Sequence, residues 1–386
     1  MRRFGRDGSA HPGGARCAGR GPTARRDLGL FEGAAGAEWT ARANPDAWRR
    51  HVLRPRVLVD VSAPDCTTEL FGDRLAAPYG VAPMAYHGLA HPDAECATAR
   101  AAAGAGALLV VSIFAGRTLE QIAEAAPDGT RWLQLYWLRD REALAALVAR
   151  AETAGYRALV LTVDAPKVGR RLRDLRNAFA LPPGMTAANL AARLTSGAAR
   201  SRAGRSGIEE HSREQFDPTV TWADLAWLRR RTSLPLLLKG VLTAEDARLA
   251  VEHGVDGLVV SNHGGRQLDG TPPASDVLAE VVDAVPADLP VLVDGGLRHG
   301  ADLARALALG ARAALVGRPV LWGLAHGGAD GARAVLDLLR EELLDTMVLS
   351  GRPTLADLDR SALAPWPPTA PPTAPPAAPE AAPAHR

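Results

Sequence analysis

The sequence predicts an α/β fold of one kind: a single (β/α)8 TIM barrel with an N-terminal extension, a long connection after its fourth strand and disordered ends. Three observations carry that expectation. From about residue 78, short apolar runs alternate with longer amphipathic ones, eight runs in all. Glycine often closes the amphipathic stretches, at Gly155, Gly254 and Gly310, as at a helix C-terminus. Polar side chains gather where the apolar runs end, the position at which such barrels carry their chemistry. A doubly wound open sheet is the competitor; functional residues at many strand ends favour closure.

Strands are expected at 79–83, 107–112, 131–136, 157–163, 235–239, 257–261, 290–294 and 313–317. Helices are expected at 93–103, 139–154, 244–253 and 300–309, where apolar residues recur at helical spacing. Before the barrel, the chain predicts a helix around 46–51 and an extended run over 55–61. Residues 164–220 exceed a plain strand-to-helix connection and are read as an excursion over the barrel mouth, partly helical and partly mobile. The domain reading is a disordered extension at 1–27, a barrel domain at 28–363 and a Pro/Ala-rich disordered tail at 364–386.

Bulk properties exclude several classes. A hydrophobic content of 47% suffices for a large core, and no apolar run is long enough to span a bilayer. The net charge of +2 gives no case for nucleic acid or an anionic membrane. Cys17, Cys66 and Cys96 lie far apart without metal spacing, which suits a reducing cytoplasm. The first 26 residues lack the apolar core of a signal peptide. No metal cluster is visible, and His87 and His91 read as solvated or pocket-lining. No glycine fingerprint with a later acidic partner supports a nicotinamide site.

Arginine fills almost every cationic position, leaving only Lys167 and Lys239. A retained lysine marks a place that needs a compact ammonium. Lys239 ends a strand-like run and is the functional choice; Lys167 reads as a solvated loop charge.

The strand ends carry the site. They present Ala82-Pro83-Met84-Ala85-Tyr86, Ser112, Gln134 with Tyr136, Thr162 with Asp164, and Lys239. The sixth run breaks into Ser261-Asn262-His263-Gly264-Gly265-Arg266-Gln267-Leu268-Asp269-Gly270. The seventh ends in Asp294-Gly295-Gly296-Leu297-Arg298 and the eighth in Gly317-Arg318. Hydrogen-bonding groups on nearly every strand fit a large polar heterocycle in the mouth. Glycine N–H groups and helix N-termini near the last two strands form an anion site, reinforced by Arg298 and Arg318. His263 is a base suited to neutral pH, and Arg266 a planar carboxylate fork.

These segments, with Gln134-Leu135-Tyr136, Leu161-Thr162-Val163-Asp164, Gly169-Arg170-Arg171 and Lys239-Gly240-Val241, resemble the FMN-dependent α-hydroxy acid oxidase and dehydrogenase family over about 31–360. The resemblance implies an FMN enzyme oxidising an (S)-2-hydroxy acid to the 2-oxo acid, with O2 as acceptor and H2O2 as product. It implies that Ala82, Pro83, Met84, Ala85, Ser112, Gln134, Thr162, Lys239 and Ser261 hold the isoalloxazine and ribityl parts. Asp294, Gly295, Gly296, Arg298, Gly317 and Arg318 are implied at ribityl and phosphate. His263 matches the base, Asp164 its partner, and Arg266, Arg171 and Tyr136 the substrate clamp. The chemistry agrees: His263 accepts the hydroxyl proton, Asp164 stabilises the imidazolium, and an ammonium at Lys239 stabilises negative charge near flavin N1 and O2. A cytoplasmic homotetramer is the accompanying expectation. The alternatives are a dehydrogenase using another acceptor and a homologue with weakened substrate binding.

Several positions depart from the pattern or refine it. Leu30 stands where the family carries a tyrosine whose hydroxyl reaches the substrate carboxylate. Either the N-terminus is degenerate, or the pocket is more apolar and favours a bulky substrate. Tyr136-Trp137-Leu138-Arg139-Asp140, the Arg171–Asn177 stretch and Val81-Ala82-Pro83-Met84-Ala85-Tyr86 resemble the hydroxymandelate oxidase branch, and Met84 and Phe114 are read as walls for a ring. Ala85, in place of the glycine found in many monooxygenase and dehydrogenase relatives, favours an oxidase, as does the lack of a cytochrome-like segment.

Overall fold

The computed structural model describes residues 30–177, 179–190 and 214–365. The expectations for 1–27, for 366–386 and for the middle of the excursion lie outside the described residues. Eight parallel strands close a barrel in chain order. They are β1 (Tyr79–Val81), β2 (Leu108–Ser112), β3 (Arg131–Leu135), β4 (Leu159–Thr162), β5 (Leu236–Val241), β6 (Gly257–Val260), β7 (Val291–Asp294) and β8 (Ala313–Val316). Helices cover the outer face of the closed sheet, and strand side chains fill its interior. Almost every strand residue is therefore buried, which is why the runs read as unbroken apolar stretches.

The helices α1 (Trp39–Arg49), α2 (Ala94–Gly104), α3 (Leu119–Ala125), α4 (Arg141–Thr153) and α5 (Leu172–Arg176) precede β5. They are followed by α6 (Leu225–Arg229), α7 (Ala244–Glu252), α8 (Ala274–Asp283), α9 (Gly300–Ala308) and α10 (Arg318–Leu349). Local signals explain the starts of several. Thr118 and Gln121 form a reciprocal capping box on α3, Asp140 accepts from Ala143 N at α4, and Thr243 accepts from Asp246 N at α7. Along α4, Leu144, Leu147, Val148 and Ala151 form the buried stripe that docks it on the sheet.

Inside the barrel, Trp132, Leu108, Val110, Val160, Leu237 and Leu292 belong to one packed cluster. A short antiparallel hairpin, Thr68–Leu70 paired with Asp73–Leu75, adds Leu70 and Leu75 to that cluster and sets Phe71 against Trp132 at 5.6 Å between ring centroids. This plug closes the barrel at the end remote from the site.

Three expectations need correction. The pre-barrel helix begins at Trp39 and ends at Arg49, and His51–Leu53 is a strand paired with Leu363–Pro365. Ala364 and Pro365 thus belong to that ribbon, so the boundary set for the tail falls two residues early. The run 55–61 is not a regular strand, because Leu58 turns into the left-handed region at φ 59°.

Candidate active site

Of the strand-end residues singled out above, Ala82 to Tyr86, Ser112, Gln134, Tyr136, Thr162, Lys239, His263, Gly264, Arg266, Asp294 to Arg298, Gly317 and Arg318 line one open cavity at the C-terminal mouth of the barrel, whereas Asp164, Ser261, Asn262, Gly265 and the run from Gln267 to Gly270 do not. Asp164 stands behind His263 and Ser261 behind Lys239. Lys167 is exposed in a loop, as expected. His87 and His91 are not at the cavity: His87 is buried with Nδ1 2.8 Å from Thr98 Oγ1, and His91 Nδ1 accepts from Asp93 N.

β5 delivers the lysine. Pairing with β6 jumps from Lys239 to Val241 across a bulge at Gly240, whose φ is +110°. A side chain at 240 is excluded, because its Cβ would lie 2.6 Å from Asp164 Cβ. Lys239 is therefore buried beside Asp164's loop, donating to Ser261 Oγ at 2.8 Å and pairing with Asp294 Oδ2 at 2.9 Å. Asp294 Oδ1 is buried without a hydrogen-bond partner. Across β2, β3 and β4, Ser112 Oγ donates to Gln134 Oε1 and Gln134 Nε2 donates to Thr162 Oγ1, a polar row at three adjacent strand ends.

The loop after β6 is held in an unusual shape. His263, Gly264 and Gly265 all have positive φ, at 57°, 63° and 76°. Asn262 Oδ1 accepts from Gly265 N, His263 N donates to Ser261 Oγ, and Asn262 forms a reciprocal amide pair with buried Asn44 of α1. His263 Nδ1 lies 3.0 Å from Asp164 Oδ1. An ionised carboxylate only accepts, so Nδ1 carries the hydrogen and Nε2 faces the cavity with its lone pair. Tyr136 Oη stands 3.5 Å from that Nε2. Burial pushes His263 below the ordinary histidine value against the opposing pull of Asp164. For Asp164, burial works to raise the carboxyl, yet the His263 and Lys239 charges hold it below its ordinary value. At neutral pH the pair is a carboxylate beside a neutral imidazole.

Three guanidiniums converge beside it. Burial, with Arg171 and Arg318 close by, pushes Arg266 well below the usual arginine range. Burial likewise lowers Arg171 and raises the carboxyl of its neighbour Asp174. Arg266 Nη1 donates to the carbonyls of Leu30, at 2.8 Å, and Gly33; Arg318 Nε donates to the Phe31 carbonyl at 3.0 Å. The N-terminal segment thus covers one edge of the arginine group, and Leu30 itself lines the cavity. Arg298 lies over the Trp322 ring, and Trp322 Nε1 donates to Glu32 Oε1.

An aromatic wall completes the cavity. Phe114, Tyr136 and Phe216 are mutually packed, with Tyr136 and Phe216 stacked at 4.5 Å and 21° between planes. Sequence reasoning missed Phe216 because it arrives from the excursion, pinned by an antiparallel bridge between Leu138 and its own backbone. It also missed Val168, Leu315 and Leu321 as lining residues.

A barrel with an anion site at its last two strands, a buried ammonium and a His–Asp pair at the mouth defines an oxidoreductase-type flavin barrel. The family model of FMN-dependent dehydrogenases matches residues 23–365, and the chain belongs to that family. It is 46% identical over 333 residues to glycolate oxidase of Spinacia oleracea, covering 86% of this chain and 89% of that protein. It is 49% identical over 333 residues to L-lactate oxidase of Nostoc sp., covering 85% and 91%. Among solved structures, mandelate oxidase with (S)-4-hydroxymandelic acid superposes with a TM-score of 0.84 at 46% identity, covering 88% of this chain and 95% of that one.

The cavity suits the family's FMN. Orphaned Asp294 Oδ1 asks for a hydroxyl, as a ribityl chain offers, and the buried Lys239 ammonium asks for an electron-rich heteroatom. Gly295 and Gly296 both have positive φ at the start of the segment leading into α9, where backbone N–H groups favour an anion.

Proposed function

We propose that the chain oxidises an (S)-2-hydroxy acid carrying an aromatic side chain, mandelate-like, to the 2-oxo acid with O2 as acceptor. The observation that carries the substrate class is the Phe114–Tyr136–Phe216 wall, which lines the same cavity as Leu30 and Met84. A phenyl ring gains burial there, whereas a glycolate has nothing to bury. When bound, FMN would supply the two-electron acceptor for this oxidation, with O2 as the final oxidant and H2O2 as its product. Ala82, Pro83, Met84 and Ala85 would back its ring system, with Ser112, Gln134, Thr162, Lys239 and Ser261 around its polar edge. Asp294, Gly295, Gly296, Arg298, Gly317 and Arg318 would hold the ribityl and phosphate.

In this reading the substrate carboxylate lies between Arg266, Arg171 and the Tyr136 hydroxyl, which orients the 2-hydroxyl toward His263 Nε2. His263 accepts the hydroxyl proton, and Asp164 stabilises the imidazolium through Nδ1. Arg266 keeps the N-terminal carbonyls on Nη1 and offers its remaining donors to the carboxylate. The barrel domain, extended to residue 365, acts in a cytoplasmic homotetramer.

The test is a peroxide assay over glycolate, lactate, mandelate and 4-hydroxymandelate, with anaerobic flavin spectra in parallel. Mandelates are expected to bleach the flavin at lowest concentration and to yield peroxide. Bleaching without peroxide assigns a different acceptor, and an unchanged flavin with every acid overturns the substrate class.

A further inference from the structure

The proposed site is split between two loops that no strand pairing joins. His263 and Arg266 follow β6, whereas Asp164 and Arg171 follow β4, and β5 lies between those strands. Beside the His263–Asp164 pair, the side chain of Gln267 bridges the gap. Gln267 Oε1 accepts from Gly169 N at 2.9 Å, and its Nε2 donates to the carbonyls of Lys167 at 3.0 Å and Asp164 at 3.3 Å. A primary amide has two N–H donors and a carbonyl acceptor, and all three functions are used here.

The contact needs Gly169 as well. A Cβ at that position would lie 2.6 Å from the Arg266 carbonyl oxygen and closer still to that of Gln267. The two backbones therefore touch where the amide ties them. Its anchor points span the segment from Asp164, which orients the base, to Gly169, two residues before Arg171. On the other loop, Gln267 is the residue next to Arg266.

We infer that Gln267 is a positioning residue that sets Arg171 against Arg266, and so gives the site its preference for a free carboxylate. The inference rests on the proposed hydroxy acid oxidation. No other side chain of similar length reproduces the bridge: glutamate keeps the acceptor and loses both donors, and methionine loses all three functions. A glutamate carboxylate would also face the Asp164 and Lys167 carbonyl oxygens, which repel it.

The experiment compares mandelate with its methyl ester in the FMN-loaded wild type, Gln267→Glu and Gln267→Met. The ester offers no anion to the guanidinium pair, so the acid-to-ester ratio of kcat/KM reads the pair's spacing. Wild type should favour the acid strongly, and both variants should lose roughly 10-fold to 100-fold of that ratio, a size typical of misplacing a positioning group. Their Tm and FMN affinity, the latter from flavin fluorescence, should stay near wild type. An unchanged ratio in folded, FMN-loaded variants overturns the inference, as does a loss of stability or FMN with the ratio intact. If wild type oxidises neither compound, the functional reading fails separately. The bridge is then read from benzoate binding, followed by flavin absorbance: weakening by at least 10-fold in both variants supports it, and equal affinity overturns it.

Discussion

His263 holds a left-handed backbone at φ 57°, a conformation that costs a non-glycine residue on the order of 1–3 kcal/mol unless its surroundings impose it. Here Ser261, Asn262 and Asn44 impose it, and the result is an imidazole pinned between Asp164 and the cavity. His263→Gln should bind FMN normally and lose roughly 10² to 10⁴ in flavin reduction rate, read by anaerobic stopped flow. A normal rate would remove His263 from the mechanism. Because burial depresses its pKa below 6.5, the base is already free at neutral pH. The kcat/KM profile should therefore be flat through pH 7 and fall only as pH drops through that depressed value. An acid limb at or above 6.5 would contradict the burial. Leu30→Tyr restores a hydroxyl near the arginine group. It should tighten glycolate and lactate several-fold in KM while giving mandelate little; equal KM values for all three would count against the apolar-pocket account.

The helix α1 shows how an element can be legible only in part. Glu38 precedes it with φ 62° and makes no side-chain cap, so nothing local announces a start at Trp39. The cap comes from Asp269, whose carboxylate accepts from Ala37 N at 2.8 Å and Thr40 N at 2.9 Å. A sequence window sees neither partner, and Pro45 inside the helix hides the pattern further. By contrast α4 and α7, which carry their caps next door, were read within a few residues. The same contrast explains the site: groups on strand ends are visible as breaks in apolar runs, whereas Phe216 reaches the cavity from an irregular excursion. Asp269→Ala should cost about 1 kcal/mol, the usual worth of a helix cap, measured by denaturant unfolding of the FMN-loaded protein. No change would mean that packing alone holds α1.

At the scale of the molecule, the barrel was readable because each strand is short, buried and bracketed by an amphipathic helix, a pattern repeated eight times. The plug below it was not, since strands of three residues leave no periodicity to detect. Trp132 is the side chain on which plug and barrel meet, fully buried against Phe71. Trp132→Ala should lower stability by about 3–5 kcal/mol, read as a shift in the unfolding midpoint, with the mouth chemistry of surviving folded protein unchanged. A loss below about 1 kcal/mol would show that the plug repacks into the space.

The convergence of Arg171, Arg266 and Arg318, with Asp174 as the carboxylate acting on Arg171 and Arg266, has a consequence for handling the protein. Like charges held together away from water oppose folding until an anion arrives between them. A carboxylate ligand is then a folding partner as well as a substrate. At a hundredfold excess over its Kd it would stabilise the native state by about 2.7 kcal/mol. Purification with a non-reactive carboxylate present is thus the condition under which this barrel is most robust.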